Sequence, residues 1–61
     1  MRIDMFDVVK LNDNNKATIL SVNNNLYNAE IANGNGKTIG IESITDKDIK
    51  EIIYKKSNKN K

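Results

Sequence analysis

The sequence predicts an all-β domain, an antiparallel meander bent towards a small barrel. Three observations predict it. Short β-branched and aromatic segments recur about every ten residues. Asn- and Gly-rich steps that favour turns separate them. One segment, Leu26 to Ala32, alternates strictly: Tyr27, Ala29 and Ile31 share one face, and Asn28 and Glu30 take the other. A short meander that bends and closes on itself hides its exposed edges, which is the reason to expect a barrel rather than a flat sheet.

Each element has its own justification. Met5-Phe6-Asp7-Val8-Val9-Lys10-Leu11 reads as the first strand, and Asn12-Asp13-Asn14-Asn15 as a loop, because Asn and Asp side chains bond their own backbone and tolerate left-handed geometry. Lys16 to Val22 is the second strand and Asn23-Asn24-Asn25 the next turn. After Leu26–Ala32, the run Asn33-Gly34-Asn35-Gly36 is the strongest turn signal, since both Asn-Gly steps favour positive φ. Lys37 to Ser43 follows as a strand with Ile39 and Ile41 on one face, and Gly40 in its middle predicts a bulge or bend.

Ile44 to Lys56 admits two readings. Thr45 caps a helix whose Ile49, Ile52 and Ile53 form an apolar stripe, giving a four-stranded meander with a C-terminal helix. The other reading is one helical turn over Thr45 to Asp48 and a fifth strand over Ile49 to Tyr54. The expected core is Phe6, Val8 or Val9, Ile19, Val22, Ala29, Ile31, Ile39, Ile41, Ile49 and Ile52, with Tyr27 on the inward face. Residues 1–54 are expected to form the domain, with residues 1–3 as a short leading tail, and 55–61 a flexible basic tail.

The order of these segments decides between the two readings, because it resembles a known family. Phe6-Asp7-Val8-Val9-Lys10-Leu11, then Ala17-Thr18-Ile19, then Tyr27-Asn28-Ala29-Glu30-Ile31 and a Gly-containing hairpin, is similar to short, uncharacterised bacterial proteins with an SH3-like barrel. The resemblance covers residues 5–54 and implies a single helical turn, Thr45-Asp46-Lys47-Asp48-Ile49, before the last strand. Two departures limit what it implies about function. Lys16-Ala17 stands where related translation and transcription barrels carry Gly, and the chain lacks the Pro and the several aromatics of a proline-rich-peptide groove.

Composition excludes more than it identifies. The 61 residues include no Cys, His, Pro or Trp, so there is no disulfide framework, no thiolate or imidazole metal site and no imidazole base. Eleven Asn, nine Lys and nine Ile dominate, and their A- and T-rich codons match an AT-rich bacterial genome. No secretory signal and no membrane span is expected, so the expected location is cytoplasmic. Gly36-Lys37-Thr38 lacks the earlier glycine of a phosphate loop and precedes a strand rather than a helix. Asp46-Lys47-Asp48 lacks the glycine and distal Glu of a calcium loop, and Ser21 and Ser43 have no base.

These exclusions predict a non-catalytic binding module. It needs no cofactor, metal or small-molecule substrate, and it docks on a protein partner or on itself. The alternative is a nucleic-acid-binding accessory protein. Residues 1–54 carry six basic and eight acidic groups, whereas residues 55–61 carry four lysines and no acid. Tyr54, Lys55, Lys56, Lys59 and Lys61 are the candidate contacts, since an aromatic beside lysines stacks a base while the lysines meet phosphate.

Overall fold

The computed structural model describes residues 2–56. Five strands form one antiparallel sheet: β1 (Val8–Leu11), β2 (Lys16–Asn23), β3 (Leu26–Ala32), β4 (Thr38–Ile44) and β5 (Ile49–Tyr54). Their spatial order is β4-β3-β2-β1-β5. A single 3-10 turn, Asp46–Asp48, precedes β5. The five-stranded reading therefore holds and the C-terminal helix is overturned. Ile49–Tyr54 pairs with β1, opposing Leu11 with Ile49 and Val9 with Ile52, so both isoleucines reach the core from a strand. The sheet is not closed, and β4 and β5 are its edges.

The turns follow the local chemistry. Asn14 and Asn24 take positive φ, 73° and 57°, in the two Asn-rich loops. In the third turn Asn33 Oδ1 accepts the N–H groups of Asn35 and Lys37, and Gly36 supplies the left-handed residue at φ 84°. Of the two expected Asn-Gly steps, Gly36 alone is left-handed. Asn12 ties the first loop to the 3-10 turn: its Nδ2 donates to Lys47 O at 2.7 Å and its N–H to Asp48 O at 3.0 Å. Thr45 N–H donates to Asp48 Oδ2, which stops the turn from unwinding.

Register decides which residues are inside. One row across the sheet reads Ile52, Val9, Ala17, Ile31, Gly40, and its side chains face the core. The neighbouring row reads Tyr54, Val8, Thr18, Glu30, Ile41 and faces outward. The buried set is Ile3, Val9, Leu11, Ala17, Ile19, Tyr27, Ala29, Ile31, Ile44 and Ile49, with Ile52 packed against it.

Four expected core residues are corrected. Ile39 and Ile41 are 56% and 68% exposed, because the register gives the inward position to Gly40 and opposes Ile41 to the outward Glu30. A shift between Ile31 and Ala32 leaves Ile39 as an extra residue, a bulge beside Gly40 as that glycine suggests. Val22 is 43% exposed near the turn end of β2. Phe6 is half exposed because Asp4–Asp7 forms a turn, closed by Asp7 N–H on Asp4 O, rather than the start of β1. The leading residues are also less free than expected, since Ile3 is buried.

Candidate functional site

Among the described residues the buried charged group is Asp7, fully buried just before β1 and in phase with the inward Val9 and Leu11. Its carboxylate is fully engaged. Oδ2 accepts the Asp4 N–H at 2.9 Å and the Lys55 ammonium at 2.6 Å, and Oδ1 accepts the Lys56 N–H at 3.0 Å. Its carbonyl accepts the Ile19 N–H, and Phe6 N–H donates to Ile19 O. The Asp7 side chain thus joins the leading turn to the end of β5, and its backbone ties both to β2. Lys55 also donates to Arg2 O at 2.9 Å and to Asp4 Oδ2 at 3.1 Å. The hydrogen bond to Asp7 raises the Lys55 pKa above its ordinary value, and the hydrogen bond from Lys55 lowers that of Asp4.

This anchor holds the first two residues of the expected tail, and residues 57–61 lie outside the described residues. Lys55 bonds Asp7 through its ammonium and Lys56 through its N–H. Of the five candidate contacts, Tyr54 lies exposed at the end of β5 opposite Val8. Lys55 is committed to Asp4 and Asp7. Lys56 is fixed through its backbone, and its side chain is exposed. Lys59 and Lys61 lie outside the described residues. Sequence reasoning missed Asp7. The available signal was a carboxylate sharing the alternation of Val9 and Leu11, followed by lysines where the chain returns.

The same anchor displays an aromatic ring. Phe6 takes a positive φ of 69° in the Asp4–Asp7 turn and is 50% exposed, with Met5 beside it also 50% exposed. Left-handed geometry is costly for a bulky side chain, and it persists here because four hydrogen bonds fix the turn around it. Tyr27 is used differently: it is buried, and its hydroxyl donates to Asp46 Oδ1 at 2.6 Å, which raises its pKa.

The concave surface offers little chemistry. A depression of about 270 Å³ between the first loop and β4 is lined in part by Asp13, Glu42 and Asp48. Asp13 accepts from Asn15 and Asp48 caps the 3-10 turn. Among the described residues no group of three or more His, Cys, Asp or Glu is placed to hold a metal ion. Ser21 and Ser43 are both bound to Asn28, which donates to Ser21 Oγ and accepts from Ser43 Oγ, so each belongs to an outward polar row rather than to a nucleophile–base pair. No described helix is long and apolar enough to cross a membrane.

The two sheet edges differ. β5 carries Lys50 and Glu51 and has two register shifts against β1. β4 has four uncharged residues in succession, Thr38-Ile39-Gly40-Ile41, between Lys37 and Glu42. No family model, curated protein or solved structure matches this chain. The functional argument therefore rests on these surfaces.

Proposed function

We propose that this chain is a non-catalytic binding module that docks through the edge strand β4, and that the occupant is a second copy of the chain. The observation that carries the reading is the exposure of Ile39 and Ile41, 56% and 68%, on an edge with no charge between residues 38 and 41. Soluble β-proteins ordinarily blunt such an edge with charge or cover it. β5 follows that rule with Lys50 and Glu51, and β4 does not.

Charge argues for a second copy. Lys37 and Glu42 bracket the uncharged stretch, and their side chains make no hydrogen bond or ion pair among the described residues. In an antiparallel pairing of two β4 strands, the lysine end of each copy lies beside the glutamate end of the other. A two-fold through Gly40 also sets Ile39 beside the partner's Ile41. Strand addition of this kind gains affinity from backbone hydrogen bonds and specificity from the flanking side chains.

Sedimentation equilibrium across a hundredfold concentration range tests the reading. The expected result is concentration-dependent dimerisation that Ile41→Lys abolishes while the circular dichroism spectrum stays unchanged. A chain that sediments as a monomer throughout, or a dimer insensitive to Ile41→Lys, overturns it.

A further inference from the structure

We infer that the corner built from Phe6, Tyr54 and Lys56 binds single-stranded nucleic acid by stacking bases on the two rings. This inference is independent of β4. The chain has three aromatic residues, and the fold divides them. Tyr27 is buried and bonded to Asp46, whereas Phe6 and Tyr54 are 50% and 39% exposed. Phe6 and Tyr54 stand 48 positions apart in sequence, yet the Asp7 anchor brings the two segments together. Val8 pairs with Tyr54, and Asp7 Oδ1 takes the Lys56 N–H, so the turn that carries Phe6 lies beside the end of β5. Residues two apart in sequence are at most about 7 Å apart, and Phe6 is two residues from Val8. The two ring-bearing positions therefore fall within the reach of neighbouring bases on one strand.

Charge selects the same corner. Residues 8–54 carry five lysines against six carboxylates. The two terminal segments, 1–7 and 55–61, carry Arg2 and four lysines against Asp4 and Asp7. Among the described residues this end carries Arg2, Lys55 and Lys56 against Asp4 and Asp7, one surplus positive charge where the two rings are displayed. Lys55 neutralises the anchor and Arg2 pairs with Asp4 at 3.4 Å, which leaves the exposed Lys56 side chain to meet phosphate. The rings supply a sequence-tolerant stacking platform, and the lysines track the backbone. Phe6 is also the only large side chain among the described residues held at positive φ, in a turn that a glycine would form more easily.

The test uses the full chain and fluorescein-labelled oligo-dT, oligo-U and a mixed-sequence DNA duplex, measured by fluorescence polarisation at low and at physiological salt. Vesicles of phosphatidylserine and phosphatidylcholine form a parallel arm. The expected result is micromolar binding of a single strand at low salt, weaker with duplex, and reduced about fivefold or more by Phe6→Gly and by Tyr54→Ser. Phe6→Gly suits the positive φ, so its fold is retained and a loss of binding reports the ring. Lys56→Gln should weaken binding and flatten its salt dependence. The dT and U arms show whether the strand is DNA or RNA. Absence of oligonucleotide binding at low salt, binding to vesicles alone, or affinity unchanged in both ring variants overturns the inference.

Discussion

Asp7 and Lys55 stand 48 positions apart in sequence, and a 2.6 Å bond joins them at a point where the carboxylate is wholly buried and the lysine side chain is 21% exposed. The asymmetry predicts unequal costs. Asp7→Ala removes the acceptor of the Asp4 and Lys56 N–H groups and the buried partner of Lys55, which keeps only Asp4 and the Arg2 carbonyl, so it should cost about 3–5 kcal/mol. Lys55→Met leaves the buried carboxylate without its counter-ion but with two backbone donors in place, so it should cost about 1–3 kcal/mol. A 61-residue domain has only a few kcal/mol to lose. Urea denaturation followed by circular dichroism should find Asp7→Ala largely unfolded at 25 °C and Lys55→Met folded with a lower midpoint.

Titration should follow the same contacts. Tyr27 is raised above 10.0 by its hydrogen bond to Asp46, and Lys55 above 10.5 by its bond to Asp7. A group whose folded pKa is raised contributes stability that is present below its unfolded value and lost as pH climbs through the folded one. Asp4 is lowered below 3.8 by Lys55, so its contribution is present above 3.8 and lost as pH falls through the lowered value. These three groups predict a melting temperature that is level between about pH 4 and pH 10 and falls on both sides. Tyr27→Phe should shrink the alkaline fall while costing about 1 kcal/mol at neutral pH.

The strands and turns were legible because their causes are local. Alternation over Leu26–Ala32 and the Asn-rich turns specify backbone geometry within a few residues, and Thr45 with Asp48 marks the 3-10 turn locally. The outward face of β4 was not legible. Ile39 and Ile41 alternate with Gly40 and Glu42, and local pattern favours burying the isoleucines. Only pairing with β3 shows that Gly40 opposes Ile31 and Ile41 opposes Glu30. The Asp7 anchor was hidden for a similar reason, since its partners come from the far end of the chain. Lys55 and Lys56 therefore read as tail. The part of the candidate site that sequence did supply, Tyr54 and Lys56, lacked Phe6 because an aromatic before Val8-Val9 looks like core.

That inversion of β4 has a direct thermodynamic signature. Ile19 is fully buried between the sheet's inward rows, and Ile41 is 68% exposed. Ile19→Ala should cost about 2–5 kcal/mol through lost contacts and the cavity left behind. Ile41→Ala, measured at a concentration where the chain is monomeric, should cost less than about 0.5 kcal/mol. Equal costs at the two positions would mean that Ile41 belongs to the core and that β4 presents its other face to solvent.

Two left-handed positions predict opposite responses to exchange with glycine. Gly36 has φ 84°, and a Cβ built there meets nothing within 4 Å, so Gly36→Ala isolates the backbone cost of about 1–2 kcal/mol. Gly34 is equally open but is not among the positive-φ residues, so Gly34→Ala should be neutral or stabilising by about 0.4–1 kcal/mol through the unfolded chain. Phe6 at φ 69° is the reverse case. Relief of its backbone offsets both the added entropy of glycine and the loss of a half-exposed ring, so Phe6→Gly should change stability by less than about 1 kcal/mol. Phe6→Val keeps the strain and adds β-branching, and it should cost more than Phe6→Gly. Thermal melts of the four variants, run side by side, separate turn geometry from side-chain packing: a Phe6→Gly chain that melts far below Phe6→Val would show that the ring holds the turn rather than being displayed by it.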